Sequence, residues 1–400
     1  MSDRKLRVLL VSIHYPPLCT SAAVQMSDLA REFVRQGHQT LVITPSERLT
    51  SRWSNNVVDG VQVLRLAGLK ISLTNYVRRT IYELSLPFLM IYGLQNSPHR
   101  NVKWDLVVWY SPSIFFGPLI FYIKRKFHCK AYLVLRDIFP EWAFDLGIMQ
   151  KGLAYYFFKI MANFQYAIAD TIGVQTPSNL EYFVGWKHGG GNNLEVLQNW
   201  QTPIQDVICS IQIGNTMLAG RKIFVYIGNM GVAQGMDILI DLAVDIKDRN
   251  DIGFLFVGRG SEVDRLKCLV AEHALLNTLF FDEIKSEEML GLLAQCHIGL
   301  LALDPQHKSH NIPGKFLTYL IAGLPVLARV NANTDLVRLI EDEGVGRVYV
   351  GQSINDFKRI AEEIADNAFE YQRMKGRGPI LAKEKFSTAS AVHQIVQTVM

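Results

Sequence analysis

The same opening occurs twice in this chain. Arg4–Ser12 sets basic residues before a short apolar run, followed by a turn and a helical pattern, and Arg221–Gly228 begins the same series again. Around the first opening the alternation is sustained. Leu6–Ile13 reads as a buried strand, and a helix over about Ala22 to Gln36 is closed by Gly37. Thr40–Thr44 is the next strand, and Gly60–Arg65 alternates apolar and polar residues as a half-buried strand does. Trp104–Trp109, Ala131–Leu135, Thr171–Val174 and Glu195–Leu197 follow, with helices between most of them. Parallel neighbours need long crossovers, so this pattern predicts a mostly parallel sheet with helices on both faces.

Around residues 187–220 the pattern breaks. Gly189–Asn193 reads as a flexible loop and Asn199–Gly220 as an irregular connector. Strands are then predicted at Ile223–Ile227, Gly253–Gly258, Leu279–Phe281, Ile298–Leu303, Val326–Val330 and Arg347–Val350. Helices fall at about Met236–Lys247, Ser261–Glu272 and Ser286–Ala294, and the tail Phe386–Met400 reads as one more. The expectation is two Rossmann-like α/β domains in tandem, 1–200 and 201–385, with residues 386–400 as a helix packing back on the first.

Composition narrows the function classes. A net charge of +4 in 400 residues, with 49% hydrophobic and 20% charged residues, suits an ordinary globular protein and is too weakly basic for a nucleic-acid binder. The five cysteines include no CxxC pair and read as reduced, buried thiols. Met1–Arg7 runs straight into a strand, so no secretory signal is expected. No stretch reaches the ~20 apolar residues that span a bilayer. Residues 76–94, 114–127 and 151–166 nevertheless mix basic and aromatic residues, which suits either an anionic membrane surface or core helices with snorkelling cations.

The segment of densest chemistry is 311–328. Pro313-Gly314 turns the chain so that Lys315 stands in the first turn of a short apolar helix, which stops at Gly323 before the strand from Pro325. A lysine there adds its charge to backbone N–H groups that already favour an anion, offering a phosphate seat; the alternative is a solvated lysine. Gly228–Gly235 follows a strand and precedes a helix, with glycines that let a backbone approach a ligand, although its spacing is not GxGxxG. Gly258-Arg259-Gly260-Ser261 is a second such turn, where Arg259 is placed to face a diphosphate or solvent. The first half's own loop, His14–Ser21, has no glycine and offers Thr20 and Ser21 as caps or hydroxyl donors. Asp137 and Glu141 follow the strand Ala131–Leu135, where an open parallel sheet gathers functional groups; Asp137 either takes a proton from a hydroxyl or caps a helix or pairs with Arg136. His307 and His310 lack a third ligand nearby, so no metal site is expected.

Together these segments resemble glycosyltransferase family 4, the retaining enzymes of GT-B fold. The resemblance is carried by Val8–Pro17, Leu29–His38, Arg136–Glu141, Tyr226–Gly235, Val257-Gly258, Ile312–Val326 and Gly344–Gly346. The Ile-Pro-x-Lys and Arg-Asp-x-x-Pro-Glu forms look most like a bacterial branch of polysaccharide assembly, O antigen and lipopolysaccharide included, with proteins assigned as N-acetyl-L-fucosamine transferases. The resemblance implies two Rossmann-like domains facing across a cleft. It implies retaining transfer of a hexosyl or N-acetylhexosaminyl group from a nucleoside diphosphate sugar in the C-terminal domain to a polyprenyl-diphosphate-linked saccharide against the N-terminal domain. Donor-binding positions would be Gly228, Asn229, Gly231, Gln234, Arg259, Pro313, Gly314, Lys315 and Thr318. Tyr15, Thr20, Ser21 and Glu141 would line the acceptor side. Asp137 would orient or deprotonate the acceptor, and Lys315 with helix N-termini would neutralise the leaving diphosphate without metal or cofactor. The implied partners are the sugar nucleotide, the lipid-linked acceptor and the inner-leaflet surface, with no nucleic acid, for a cytoplasmic protein held peripherally at the inner membrane.

The chain departs from the family at named places. His310 and Thr318 stand where two glutamates seven residues apart are common, and Asn229 and Gln234 where Arg and Lys are. Thr20-Ser21 replaces a Gly-Gly pair. A non-catalytic sugar-nucleotide-binding subunit and a GT-B nucleotide-sugar epimerase are the competing readings.

Overall fold

The computed structural model describes residues 4–18, 20–47, 49–69, 76–111, 113–145, 147–184, 186, 193–202, 208–304, 312–351 and 353–399. The chain divides into two compact units, residues 1–200 with 388–400, and residues 201–387. His307, His310, Cys19 and most of the loop Gly189–Asn193 lie outside the described residues.

Among the described residues, the first unit holds β1 (Arg7–Val11), β2 (Gln39–Ser46), β3 (Trp53–Val58), β4 (Val61–Ala67), β5 (Leu106–Tyr110), β6 (Lys130–Leu135), β7 (Thr171–Val174) and β8 (Asn193–Val196). Their spatial order is β3-β4-β2-β1-β5-β6-β7-β8. All pairings are parallel except β3 with β4, a hairpin closed by Asp59 and Gly60, both at positive φ (50° and 79°). An Asp-Gly pair is the usual chemistry of a two-residue hairpin turn, because both positions need left-handed backbone. Sequence analysis missed β3, whose Asn55-Asn56 centre lacks the apolar alternation of a strand.

The helices of this unit are α1 (Ser21–Arg35), α2 (Tyr76–Gln95), α3 (Gly117–Phe127), α4 (Glu141–Asp145) and α5 (Leu153–Ile168). Side chains alternate across a strand, so β1 feeds two cores. Leu9 and Val11 pack with Met90 of α2, Ile120 of α3 and Ala162 of α5 on one face. Val8 and Leu10 pack with Met26 and Phe33 of α1 on the other.

The second unit contains β9 (Lys222–Ile227), β10 (Ile252–Val257), β11 (Thr278–Phe281), β12 (Ile298–Ala302), β13 (Val326–Arg329) and β14 (Gly346–Tyr349), all parallel, in the order β11-β10-β9-β12-β13-β14. Its helices are α6 (Asp237–Asp245), α7 (Val263–Glu272), α8 (Met289–Leu293), α9 (Gly314–Ile321), α10 (Asp335–Asp342), α11 (Ile354–Asp366) and α12 (Ala368–Lys385). Each sheet thus starts at a central strand, grows outward on one side, then returns to grow on the other. This repeated doubly wound order is the tandem Rossmann-like architecture of GT-B.

The final helix, α13 (Thr388–Gln397), belongs to the first unit, where Val392 and Ile395 are fully buried beside α1. Phe386 stays with the second unit, its ring 6.2 Å from that of Phe316. The tail helix therefore begins at Thr388 rather than Phe386, because the Phe386 ring is held in the second core. Cys268 is exposed on α7 while Cys129, Cys209 and Cys296 are buried, which corrects the reading of every cysteine as a core thiol; α7 buries only Leu266.

Candidate functional site

In the second unit the chain order reverses between β9 and β12. Loops at the carboxyl ends of such a pair run in opposite directions and leave a place for a ligand. Gly228–Gly235 leaves β9 there, and α9 stands between β12 and β13 in the chain.

Tyr319 fixes α9 against the sheet. Its hydroxyl accepts the Ile227 N–H at 3.1 Å and lies 3.1 Å from the carbonyl oxygens of Val225 and Leu300. Gly299 on β12 leaves room for the ring, since a Cβ there would overlap it. Gly378 lets α12 approach Leu320 from the other side, with an added Cβ only 3.2 Å from its carbonyl oxygen. The helix start is thereby fixed, with Pro313 in extended conformation at the N-cap.

Lys315 occupies the first turn. Its Nζ donates to the Tyr226 hydroxyl and lies 3.8 Å from the centre of the Tyr226 ring. The Tyr226 hydroxyl donates in turn to the Asn229 carbonyl at 2.8 Å. Lys315 Cε also lies against Gly228, 4.0 Å from where a Cβ would stand. Loss of solvent pushes the lysine from its ordinary value near 10.5 down to about 7. Burial likewise raises the Tyr226 phenol. Among the described residues no carboxylate forms an ion pair with Lys315. The site therefore holds a desolvated amine at a helix N-terminus beside a glycine loop, a combination that favours an arriving anion.

The glycine loop is shaped from within. Gln234 Oε1 accepts from Gly231 N–H at 3.1 Å and from Asn229 Nδ2 at 3.3 Å. Gln234 and Asn229 thus order the loop from within. Gly258 (φ +151°) and Gly260 (φ +155°) lie against the carbonyls of Gly228 and Met230, where a Cβ would overlap them. Met230 N–H donates to Arg259 O at 2.7 Å and Glu262 N–H to Met230 O at 3.1 Å, so the two turns are knitted together. The Arg259 side chain is exposed and pairs with exposed Glu283 at 3.2 Å. Such a pair is worth little, so this cation remains exchangeable.

One helical turn beyond Lys315, the Thr318 hydroxyl lies 3.2 Å from Gln201 Oε1 and 3.3 Å from the Gly314 carbonyl. Both side chains border a cavity of about 130 Å³ lined also by Ile227, Ser286, Met289, Leu290 and Ile321. Sequence analysis missed Gln201 and Tyr226. Gln201 sits in the irregular connector, and Tyr226 reads as one more apolar residue of a buried strand.

The first-unit candidates separate. Asp137 is half-buried just past β6, and its carbonyl oxygen is 3.5 Å from Ser111 Oγ. Arg136 does not serve Asp137 alone: it donates to the carbonyls of Leu197 (2.8 Å) and Gln198 (3.2 Å) and lies over the Trp200 ring. Glu141 opens α4 and pairs with Lys159 of α5, so that carboxylate is already neutralised. Tyr15 is a core residue at 1% exposure, packed beside α1, and presents no surface to an acceptor. Thr20 is the N-cap of α1, accepting from Ala23 N–H at 3.3 Å, and Ser21 is the first helical residue. Among the described residues, no group of three His, Cys, Asp or Glu side chains is arranged to hold a metal ion.

Comparison with known proteins finds likenesses in the second unit and along the chain. Residues 215–379 match the model for glycosyl transferases group 1. A probable glycosyltransferase, WbjE of Pseudomonas aeruginosa, is 25% identical over 225 residues, 54% of this chain and about half (55%) of its own length. A putative colanic acid biosynthesis glycosyl transferase, WcaI of Escherichia coli K12, is 21% identical over 84% of this chain and 86% of its own. Among solved structures, Anabaena Alr3699/HepE in complex with UDP and glucose superposes with a TM-score of 0.66 at 13% identity, covering 98% of this chain and 99% of that one.

Proposed function

We propose that this chain, which carries a glycosyl transferases group 1 domain over residues 215–379 within a GT-B fold, transfers a sugar from a nucleoside diphosphate sugar to a saccharide acceptor in bacterial surface polysaccharide synthesis. The observation that carries this reading is the desolvated Lys315 at the start of α9, held on Tyr226 beside the Gly228 loop and, among the described residues, in no ion pair with a carboxylate. A diphosphate supplies a counter-charge for the protonated amine, and HepE, of the same fold, is the precedent for a bound UDP and glucose.

In this reading Lys315 and the N-terminus of α9 stabilise the negative charge that builds on the departing diphosphate. The cavity beside Thr318 takes the nucleoside, with Ile227, Met289, Leu290 and Ile321 against the base and the neutral Gln201–Thr318 pair at the ribose hydroxyls. A hydroxyl and an amide replace the carboxylate common in the family. Asp137 orients the acceptor hydroxyl and takes its proton. The resemblance to family 4 supports retention of anomeric configuration, and no side chain is assigned as a nucleophile. It also supports a polyprenyl-diphosphate-linked acceptor and work at the cytoplasmic face of the inner membrane.

The test is a panel of nucleotide sugars with the purified chain, with and without polyprenyl-linked acceptor. Acceptor-dependent release of nucleoside diphosphate, with the anomeric centre read by NMR, is the expected result. Binding without turnover favours a non-catalytic subunit, which the neutral residues at 229, 234 and 318 motivate. An altered sugar without acceptor favours an epimerase.

A further inference from the structure

At the amino edge of a parallel sheet the first N–H groups of a strand can lie beyond the regular ladder, and when buried they need another acceptor. In both units a side chain just ahead of a neighbouring strand supplies one. Arg7 N–H of β1 donates to Asp105 Oδ2 at 2.8 Å, and Ala131 N–H of β6 donates to Asp170 Oδ2 at 2.8 Å. Asp105 directly precedes β5, and Asp170 directly precedes β7. Two further pins use imidazoles. Leu6 N–H, one residue before β1, donates to His38 Nδ1 at 3.1 Å, and Ile223 N–H of β9 donates to His297 Nδ1 at 3.0 Å. His38 directly precedes β2, and His297 directly precedes β12.

Acid acts differently on the two kinds of pin. A carboxylate keeps its lone pairs down to about pH 4, whereas a proton on an accepting Nδ1 turns the acceptor into a donor. Leu6 and Ile223 are each 1% exposed, so solvent offers their N–H groups little in exchange. The surroundings of both half-buried rings also oppose the proton. The edge of Phe33 of α1 packs against His38 with ring centres 5.7 Å apart, and the charge that acts on His38 is that of Lys5. The charges acting on His297 are Lys375 of α12 and Lys222 of β9, and among the described residues no carboxylate offsets them at either ring. Burial first, and these ammonium groups second, hold both imidazoles below their ordinary value near 6.5.

We infer that His38 and His297 are acid-released latches, one in each unit: a proton on either ring withdraws the acceptor at the amino end of a central strand, β1 or β9, while the carboxylate pins of the first unit persist. In the second unit the strand concerned is the one whose other end carries Tyr226 and leads into the Gly228 loop. The folded chain keeps these rings neutral, and the unfolded chain takes up the protons from about pH 6.5 downward. The stability that the latches lend is therefore complete above that pH and is lost as pH falls below it.

Urea unfolding of the full chain is compared at about pH 7 and about pH 5.5, above the range in which most carboxylates take up protons. Over this interval each latch should cost its unit up to roughly tenfold in the folding equilibrium. His38→Asp and His297→Asp install the group that serves at Asp105 and Asp170, and the neighbouring lysines favour its charged form. Each should remove that part of the acid loss from its own unit. His14 and His99, also held low by burial, act alike in wild type and variant and cancel in the comparison. A variant that loses as much stability as wild type between the two pH values overturns the latch at that position. The wild-type chain supplies a second readout that needs no variant to fold. By NMR titration both imidazoles should take up their protons below about pH 6.5, and a ring that titrates at or above that value in the folded chain overturns its latch.

Discussion

Lys315 is a cation held on an aromatic ring instead of a carboxylate, and its consequences are measurable. Lys315→Ala should weaken nucleotide-sugar binding by about 1.5–3 kcal/mol, roughly tenfold to a hundredfold, measured by titration calorimetry. An unchanged affinity would remove the diphosphate assignment. The pH response has a defined sign. The diphosphate diester of a nucleotide sugar keeps its charge across neutrality, so binding selects the protonated amine, and affinity should fall as pH rises past about 7, approaching tenfold per pH unit. For stability the same group acts oppositely: between about 7 and its unfolded value the unfolded chain holds the extra proton, so this lysine's contribution rises with pH through that window. Tyr226→Phe removes the hydroxyl that links Lys315 to the Asn229 carbonyl. It should reduce donor affinity less than Lys315→Ala does and cost about 1 kcal/mol of stability in urea unfolding. Lys315 was legible because Pro-Gly before a short apolar run marks a helix start. Tyr226 was not, because nothing in a buried strand's sequence says which side chain reaches a lysine 89 residues away.

At the level of elements, the site is two turns pressed together by glycines. Gly258→Ala would place a methyl group against the Gly228 carbonyl at a φ of +151°. A loss of about 1–3 kcal/mol is expected, read as a lowered thermal midpoint, together with weaker donor binding because the neighbouring loop must shift. A midpoint equal to wild type would mean that the two turns are not coupled as described. Most elements could be read from the chain because buried strands and amphipathic helices have different periods. The exceptions have physical causes. The strand β3 is half exposed and polar at its centre, with Asp59-Gly60 its best signal. The helix α12 contains Gly376, Gly378 and Pro379, residues that argue against a helix, yet packing on α9 outweighs their propensity.

Across the whole molecule, the last helix completes the unit that the chain left at Trp200. Val392 and Ile395 are fully buried there, with Ala391 and Val396 at 5%. Ending the chain at Ser387 should therefore destabilise the first unit by several kcal/mol, on the order of 1.5–3 per buried Val or Ile. Calorimetry of the truncated chain should show that unit's transition lowered and the other's unchanged; a single transition shifted as a whole would contradict the division into two units. The sequence by itself determined the two α/β units, the place where the second begins, and Lys315 at a helix start, because periodicity and turn residues are local properties. Tertiary structure alone decided which candidates share a site. Burial placed Tyr15 in a core, Lys159 claimed Glu141, Gln234 turned into its own loop, and Tyr226 and Gln201 came to Lys315 and Thr318. Each of these outcomes depends on which strands become neighbours and how closely glycines let their loops approach, and neither is written in any local stretch of the chain.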